Sequence, residues 1–184
     1  MSDGDPVDVV IEDPRWETTD LPRVAAAAAR ATLADSGLDP DACEIVVLGC
    51  GDPRIAALNG AFRGREAPTN VLAWPSEARD PAAPAAGFLG DVALAFDTCD
   101  GEAREQGKPL EEHAMHLVAH AILHLLGHDH EEEGAARLME AREVAILDSL
   151  GLPDPYVPRD GAGGGEPARR QKAPPHSPSP GARA

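Results

Sequence analysis

The chain alternates between short apolar runs and longer stretches of helical periodicity. Val7 to Asp13 alternates weakly and predicts a strand. Asp20 followed by Pro22 predicts a helix start, and Ala25 to Ala34 is strong helix-forming sequence that Ser36-Gly37 ends. Glu44 to Leu48 is apolar and β-branched, as an interior strand requires. Asp52-Pro53 predicts a second capped helix through Ile55, Leu58 and Phe62, followed by a polar loop from Gly64 to Asn70. Val71 to Trp74 predicts a short strand stopped by Pro75, and residues 76–87, rich in Pro and Ala, an exposed loop. Gly90 to Phe96 predicts a fourth strand and Thr98 to Gln106 a helix ended by Gly107. Glu111 to Leu126 predicts a long apolar helix. Glu131 to Leu150 predicts a final amphipathic helix that buries Leu138, Ala141, Ala145 and Leu147 or Leu150. Four strands among helices, without strict alternation, imply an α+β fold: a small mixed four-stranded β-sheet flanked by helices.

Residues 1–157 read as a single domain. From 158 to 184 the composition turns to Gly, Pro and Arg, which bury too little apolar surface to fold, so a disordered tail is expected. Aromatics are 3% of the 184 residues, so the core must be built from Ala, Leu, Val and Ile. No apolar run reaches the ~18 residues that span a membrane, so no membrane partner is expected. The acidic opening, Met1 to Asp5, does not read as a secretory leader. Cys43, Cys50 and Cys99 are odd in number and form no CxxC pair, as expected of reduced thiols in a cytoplasmic protein. The net charge of −16 is adverse for nucleic-acid binding, and DNA is not expected as a partner. Arg54, Arg63 and Arg65 nevertheless form a local cationic segment on that acidic body.

The chemistry concentrates in His120-Ala-Ile-Leu-His124-Leu-Leu-Gly127-His128-Asp129-His130. On a helix, positions i and i+4 stack on one face about 6 Å apart, so His120 and His124 can grip one metal ion. Gly127 can take a positive φ, end the helix and return the chain so that His130 becomes a third ligand. Three imidazoles leave one tetrahedral position open, the arrangement of a catalytic zinc. The zinc site is thus expected on a central helix and the turn after it, with one Zn2+ per chain. This is also the ligand spacing of the metzincin proteases, but those need Glu directly after the first histidine as general base, and Ala121 stands there. A metalloprotease-like hydrolase would therefore lack its base.

The block from His113 through His116, His120, His124 and Gly127 to His130 resembles the signature of the YbeY family of endoribonucleases. So do Leu58-Asn59 with Phe62-Arg63-Gly64, Pro68 to Leu72 with Trp74-Pro75, Leu89 to Val92 with Gln106 to Leu110, and Leu150-Gly151 with Asp154-Pro155-Tyr156. The resemblance runs from about residue 8 to 156. It implies zinc held by His120, His124 and His130, and an α+β fold. It implies single-strand-specific cleavage of RNA in 16S rRNA 3′-end maturation and ribosome quality control, with rRNA, the ribosome and ribosomal proteins as partners. It also assigns Arg63 as the functional arginine that faces the RNA. Two positions depart from the family pattern: Ala121, usually Gly, and His128, commonly Tyr.

A zinc with three imidazoles brings its water toward a pKa of ~7. Arg63 could fork onto the non-bridging phosphate oxygens, so Arg63 and His120 are the candidate catalytic residues. Zinc-hydroxide attack and activation of the RNA's own 2′-hydroxyl both fit. Asp129 reads either as an orienter of a ligand or as a turn residue. His113 and His116, on the helix face of His120, either extend a polar cleft or support it as partly buried imidazoles. His128 reads as a spare base or, preferably, a surface residue. From another functional class, a metal-bound ribosome assembly factor with little nuclease activity remains an alternative.

Overall fold

The computed structural model describes residues 4–129 and 131–159. Strands β1 (Val7–Ile11), β2 (Cys43–Cys50), β3 (Val71–Pro75) and β4 (Gly87–Ala95) form one sheet in the order β1-β2-β4-β3. β1 and β4 run parallel to β2, and β3 runs antiparallel to β4 as an edge strand. Around it lie helices α1 (Leu21–Asp35), α2 (Asp52–Arg63), α3 (Phe96–Glu105), α4 (Leu110–Leu125) and α5 (Glu133–Ser149). The expected mixed four-stranded sheet flanked by helices is therefore the observed fold. The segment expected as a tail lies, from residue 160 onward, outside the described residues, as does His130.

Side chains alternate across each strand, which divides the core between the two faces of the sheet. Ile45, Val47, Val92 and Leu94 join Val71 and Ala73 beneath α1 and α4. Cys50, Ala93, Ala95, Leu72 and Trp74 face the other way, toward Ile55 and Leu58 of α2. Val24, Ala25, Ala28, Ala29 and Leu33 of α1 pack in one cluster with Leu117, Val118, Ala121, Ile122 and Leu125 of α4. Truncating one of the buried leucines or isoleucines here would cost about 2–5 kcal/mol. On its far side α4 buries Ala119 and Leu123 against Met139 and Ile146 of α5.

Several local devices differ from the sequence expectations. Asp20 precedes α1 as expected, but in a left-handed conformation (φ 48°) and with no side-chain capping bond; its carboxylate instead pairs with Arg23 Nε at 3.2 Å. Asp52 lies inside the first turn of α2 and caps a different helix: its carboxylate accepts from Thr98 N at 3.1 Å and Thr98 Oγ1 at 2.7 Å, at the start of α3. The stretch Pro14–Thr19, not expected to be regular, is a 3-10 turn that buries Trp16, whose Nε1 donates to Cys50 O at 3.0 Å. The fourth strand begins at Gly87, and Phe96, expected to end it, opens α3.

The loop from Ser76 to Ala86 is largely exposed, as expected, but is tied down through Arg79. The side chain of Arg79 is 5% exposed and donates to Ala85 O and Phe88 O, each at 2.9 Å. Its backbone carbonyl abuts Gly127, whose φ is +94°. A Cβ at Gly127 would sit 2.2 Å from Arg79 O, so only glycine fits the turn that follows α4.

Helix α5 is rotated from its expected phase. Met139, Glu143, Ile146 and Leu147 are buried, whereas Leu138 is 70% exposed and Ala141 and Ala145 face solvent. Of the residues expected on its inner side, Leu147 is buried and Leu150 half-buried. The rotation places a carboxylate where aliphatic packing was expected.

Candidate metal centre

Helix α4 carries His113, His116, His120 and His124 at intervals of three, four and four, so their rings form one stripe. Its other faces are occupied by the sheet with α1 and by α5, which leaves the stripe at the margin between α4 and α5. His113 is 3% exposed, and His116, His120 and His124 are half-buried. The rings of His120 and His124 are 4.6 Å apart, and their Nε2 atoms face each other at 3.1 Å.

Two imidazole nitrogens converging on one point suit a shared cation. A tetrahedral zinc with Zn–N bonds of ~2.0–2.1 Å separates two ligand nitrogens by about 3.3 Å, close to the distance here. Imidazole donors suit zinc, copper, iron and nickel. Among the described residues no group of three metal-ligating side chains is assembled; the expected third ligand, His130, is outside them.

Glu143 stands behind this pair. It is 1% exposed; its Oε1 lies 2.6 Å from His120 Nδ1 and its Oε2 2.8 Å from His116 Nε2. The hydroxyl of Tyr156, in the segment after α5, also donates to Oε2. Burial opposes ionisation of Glu143, but the hydrogen bonds to His116 and His120 outweigh it and hold its carboxyl well below the usual carboxylate range. The carboxylate–histidine arrangement is the one that fixes ring orientation and tautomer in metal sites.

The stripe continues into a second buried pair. His113 Nε2 lies 2.7 Å from Glu102 Oε2, and Glu102 also receives Asn70 Nδ2 at 3.0 Å. Burial pushes His113 below the ordinary histidine range despite the Glu102 bond. Burial raises and the His113 and Asn70 bonds lower the Glu102 carboxyl, with a net shift downward. This chain ties the start of β3 to α3 and α4.

The sequence-predicted residues fall as follows. His116 reaches the candidate site through Glu143 rather than by touching a ligand nitrogen. Asp129 Oδ1 accepts the backbone N–H of Glu131 at 3.2 Å, a turn-forming bond. His128, expected at the surface, is half-buried, with Arg142 Nη1 3.5 Å from its Nε2. Arg63 ends α2, on the opposite face of the sheet from α4. It is half-buried, burial alone lowers its pKa, and its side chain has no hydrogen bond or ion pair among the described residues. Beside it Phe62 is 66% exposed, its ring centroid 5.3 Å from that of Trp74 on β3. Glu143, Glu102 and Tyr156 had no expected role; an acidic residue four after Met139 and three before Ile146 was the signal for Glu143.

Comparison with known proteins places the chain in a family. The family described as Endoribonuclease YbeY matches residues 10–151. Similar relatives, each named Endoribonuclease YbeY, include a protein of Cereibacter sphaeroides, 53% identical over 163 aligned positions, covering 82% of this chain and 98% of that one. Another, from Paracoccus denitrificans, is 54% identical over 158 residues, covering 82% of this chain and 90% of that one. The solution structure of TM1509 from Thermotoga maritima shares the fold, with a TM-score of 0.51 at 19% identity, covering 89% of this chain and 99% of that one. The α4 stripe with its converging nitrogens lies inside the matched residues 10–151, and the chain belongs to the YbeY endoribonuclease family.

Proposed function

We propose that this protein is a zinc-dependent endoribonuclease that cuts single-stranded RNA in 16S rRNA 3′-end maturation and ribosome quality control, in the cytoplasm and in contact with the ribosome. The observation that carries the reading is the 3.1 Å approach of His120 and His124 Nε2 on a chain of this family. His120, His124 and His130 would hold one zinc. When bound, that ion supplies a Lewis acid for a phosphoryl oxygen and a water made acidic enough to react near neutral pH.

The chain's own residues supply the rest. His120 presents Nε2 while its Nδ1 is occupied by Glu143. Arg63 is a half-buried cation without a carboxylate partner among the described residues, in a chain of net charge −16. An unpaired guanidinium in that setting suits a ligand's phosphate, whose developing charge its fork stabilises. Phe62 offers an exposed ring next to it, on which an unpaired base can stack. Because α2 and α4 lie on opposite faces of the sheet, a strand touching both Arg63 and the histidines would have to bend from one face to the other. Single-stranded RNA bends that way more readily than a duplex.

Ala121, in place of a metzincin base, is buried in the core. The protease-like reading therefore lacks a proton acceptor at that position, and a Glu introduced there would be buried too. The net charge favours a second reading, a metal-bound assembly factor with little nuclease activity. The deciding experiment measures zinc content and cleavage of single-stranded RNA for wild type, His124→Ala and Arg63→Ala. About one zinc per chain with cleavage, both lost in His124→Ala and cleavage alone lost in Arg63→Ala, is the expected result. Zinc without cleavage, with ribosomes present, would replace the nuclease reading by the assembly-factor one.

A further inference from the structure

We infer that Glu143 is a positioning residue: it holds His120 with its proton on Nδ1, so that the lone pair on Nε2 is directed at the point His124 also faces. The inference rests on His120 being a metal ligand. It deepens that reading by naming the group that prepares the ligand before any ion arrives.

Three observations carry it. Glu143 Oε1 meets His120 Nδ1 at 2.6 Å, so an ionised carboxylate requires an N–H there and leaves Nε2 as the basic nitrogen. The other oxygen is engaged twice, by His116 Nε2 at 2.8 Å and by the Tyr156 hydroxyl. Those contacts hold the carboxylate in place and keep it from turning to become a ligand itself. Finally, the group is 1% exposed and comes from a different helix, so α5 and the segment after it fix the orientation of a ring on α4. A carboxylate with no solvent access and three donors has one stable arrangement, and the imidazole inherits it.

The test uses metal-free full-length protein and needs no RNA. Long-range 1H–15N spectra of the imidazole rings, recorded above the histidine titration range, read the tautomer of each assigned histidine. Wild type is expected to show His120 protonated on Nδ1; protonation on Nε2 would overturn the inference without any variant. Glu143→Gln keeps the shape but leaves one acceptor oxygen for the three donors, so the His120 signal should become a mixture of tautomers. Zinc affinity, measured by competition with a chelating dye, should fall about 10–100-fold in that variant. An unchanged tautomer with affinity within twofold of wild type would refute the role. Tyr156→Phe removes a donor from Oε2 only, so it should leave the His120 tautomer as in wild type; a switch there would show that Oε1 is not what holds the ring. Failure of wild type to bind zinc at all would sink the metal reading instead, while equal binding by wild type and Glu143→Gln would sink only this inference.

Discussion

Replacing Gly127 by alanine tests how the turn after α4 is held. Two costs add. Gly127 has φ +94°, where an L-residue is strained by about 1–2 kcal/mol. Its new Cβ would lie 2.2 Å from the carbonyl oxygen of Arg79 and 3.2 Å from Pro81 Cδ. The first contact is with backbone that Arg79 itself pins through Ala85 O and Phe88 O, so relief requires the turn or the whole loop to move by about an ångström. Together these predict destabilisation of about 2–4 kcal/mol. For a domain of this size that is a fall in Tm of about 4–16 °C. Gly64→Ala is the internal reference: Gly64 has φ +68° but nothing within 4 Å of a Cβ, so it should lose only the backbone component, about 1–2 kcal/mol. Thermal unfolding of wild type and both variants, with zinc binding alongside, separates the two costs. Gly127→Ala should also weaken zinc binding, because His128 and the residues after it leave that turn. Equal Tm losses in the two variants would refute the collision with the Arg79 loop.

Acid should weaken the fold in a defined window. His113 is held below the ordinary histidine value, so on unfolding it takes up a proton once pH falls below about 6.5, and stability falls with it. Glu102 is depressed too, so its contribution, complete above about 4.5, is lost as pH drops further. Denaturant unfolding from pH 7.5 to 5 should show a slope approaching about 1.4 kcal/mol per pH unit per proton, flattened in His113→Gln; equal slopes would contradict the buried pair. Asp52→Ala should cost about 1 kcal/mol through loss of the α3 cap, measured as a shift in denaturation midpoint, and Asp52→Asn should recover much of it. The three thiols are buried, and burial pushes Cys50 up to about 11 and Cys43 and Cys99 above their usual value. Ellman's reagent at pH 8 should therefore react with fewer than one thiol per native chain and with all three in guanidinium.

The elements with strong periodicity were legible because burial and period agree in them. The strand at Glu44 to Leu48 and the helix at Glu111 to Leu126 are each apolar along the faces that the fold covers. The histidine stripe was legible for a related reason: four polar rings at helical spacing have no packing role that leucine would not fill better. Glu143 was hidden because α5 carries apolar residues on two sides. Leu138 with Ala141 and Ala145 makes as good a stripe as Met139 with Ile146, and only the unmet hydrogen bonds of His116 and His120 decide between them. That decision is made by partners on another helix, which periodicity does not encode. The Asp52 cap escaped for the same reason: the residue type announced a cap, but the residue it serves, Thr98 in the first turn of α3, lies 46 residues later.

The alanine face of α1 bears on how constant the histidine stripe can stay. Ala25, Ala28 and Ala29 are fully buried in the cluster that α1 shares with α4, with methyl groups that have no rotamers to exchange. At these three positions no rotamer change on α1 can widen or narrow the spacing of the two helices by degrees. Such a contact behaves as a hard stop rather than a spring. Heating should leave the position of α4 unchanged until the domain unfolds as a whole, so the histidines on its other side keep their geometry over the working range instead of loosening progressively.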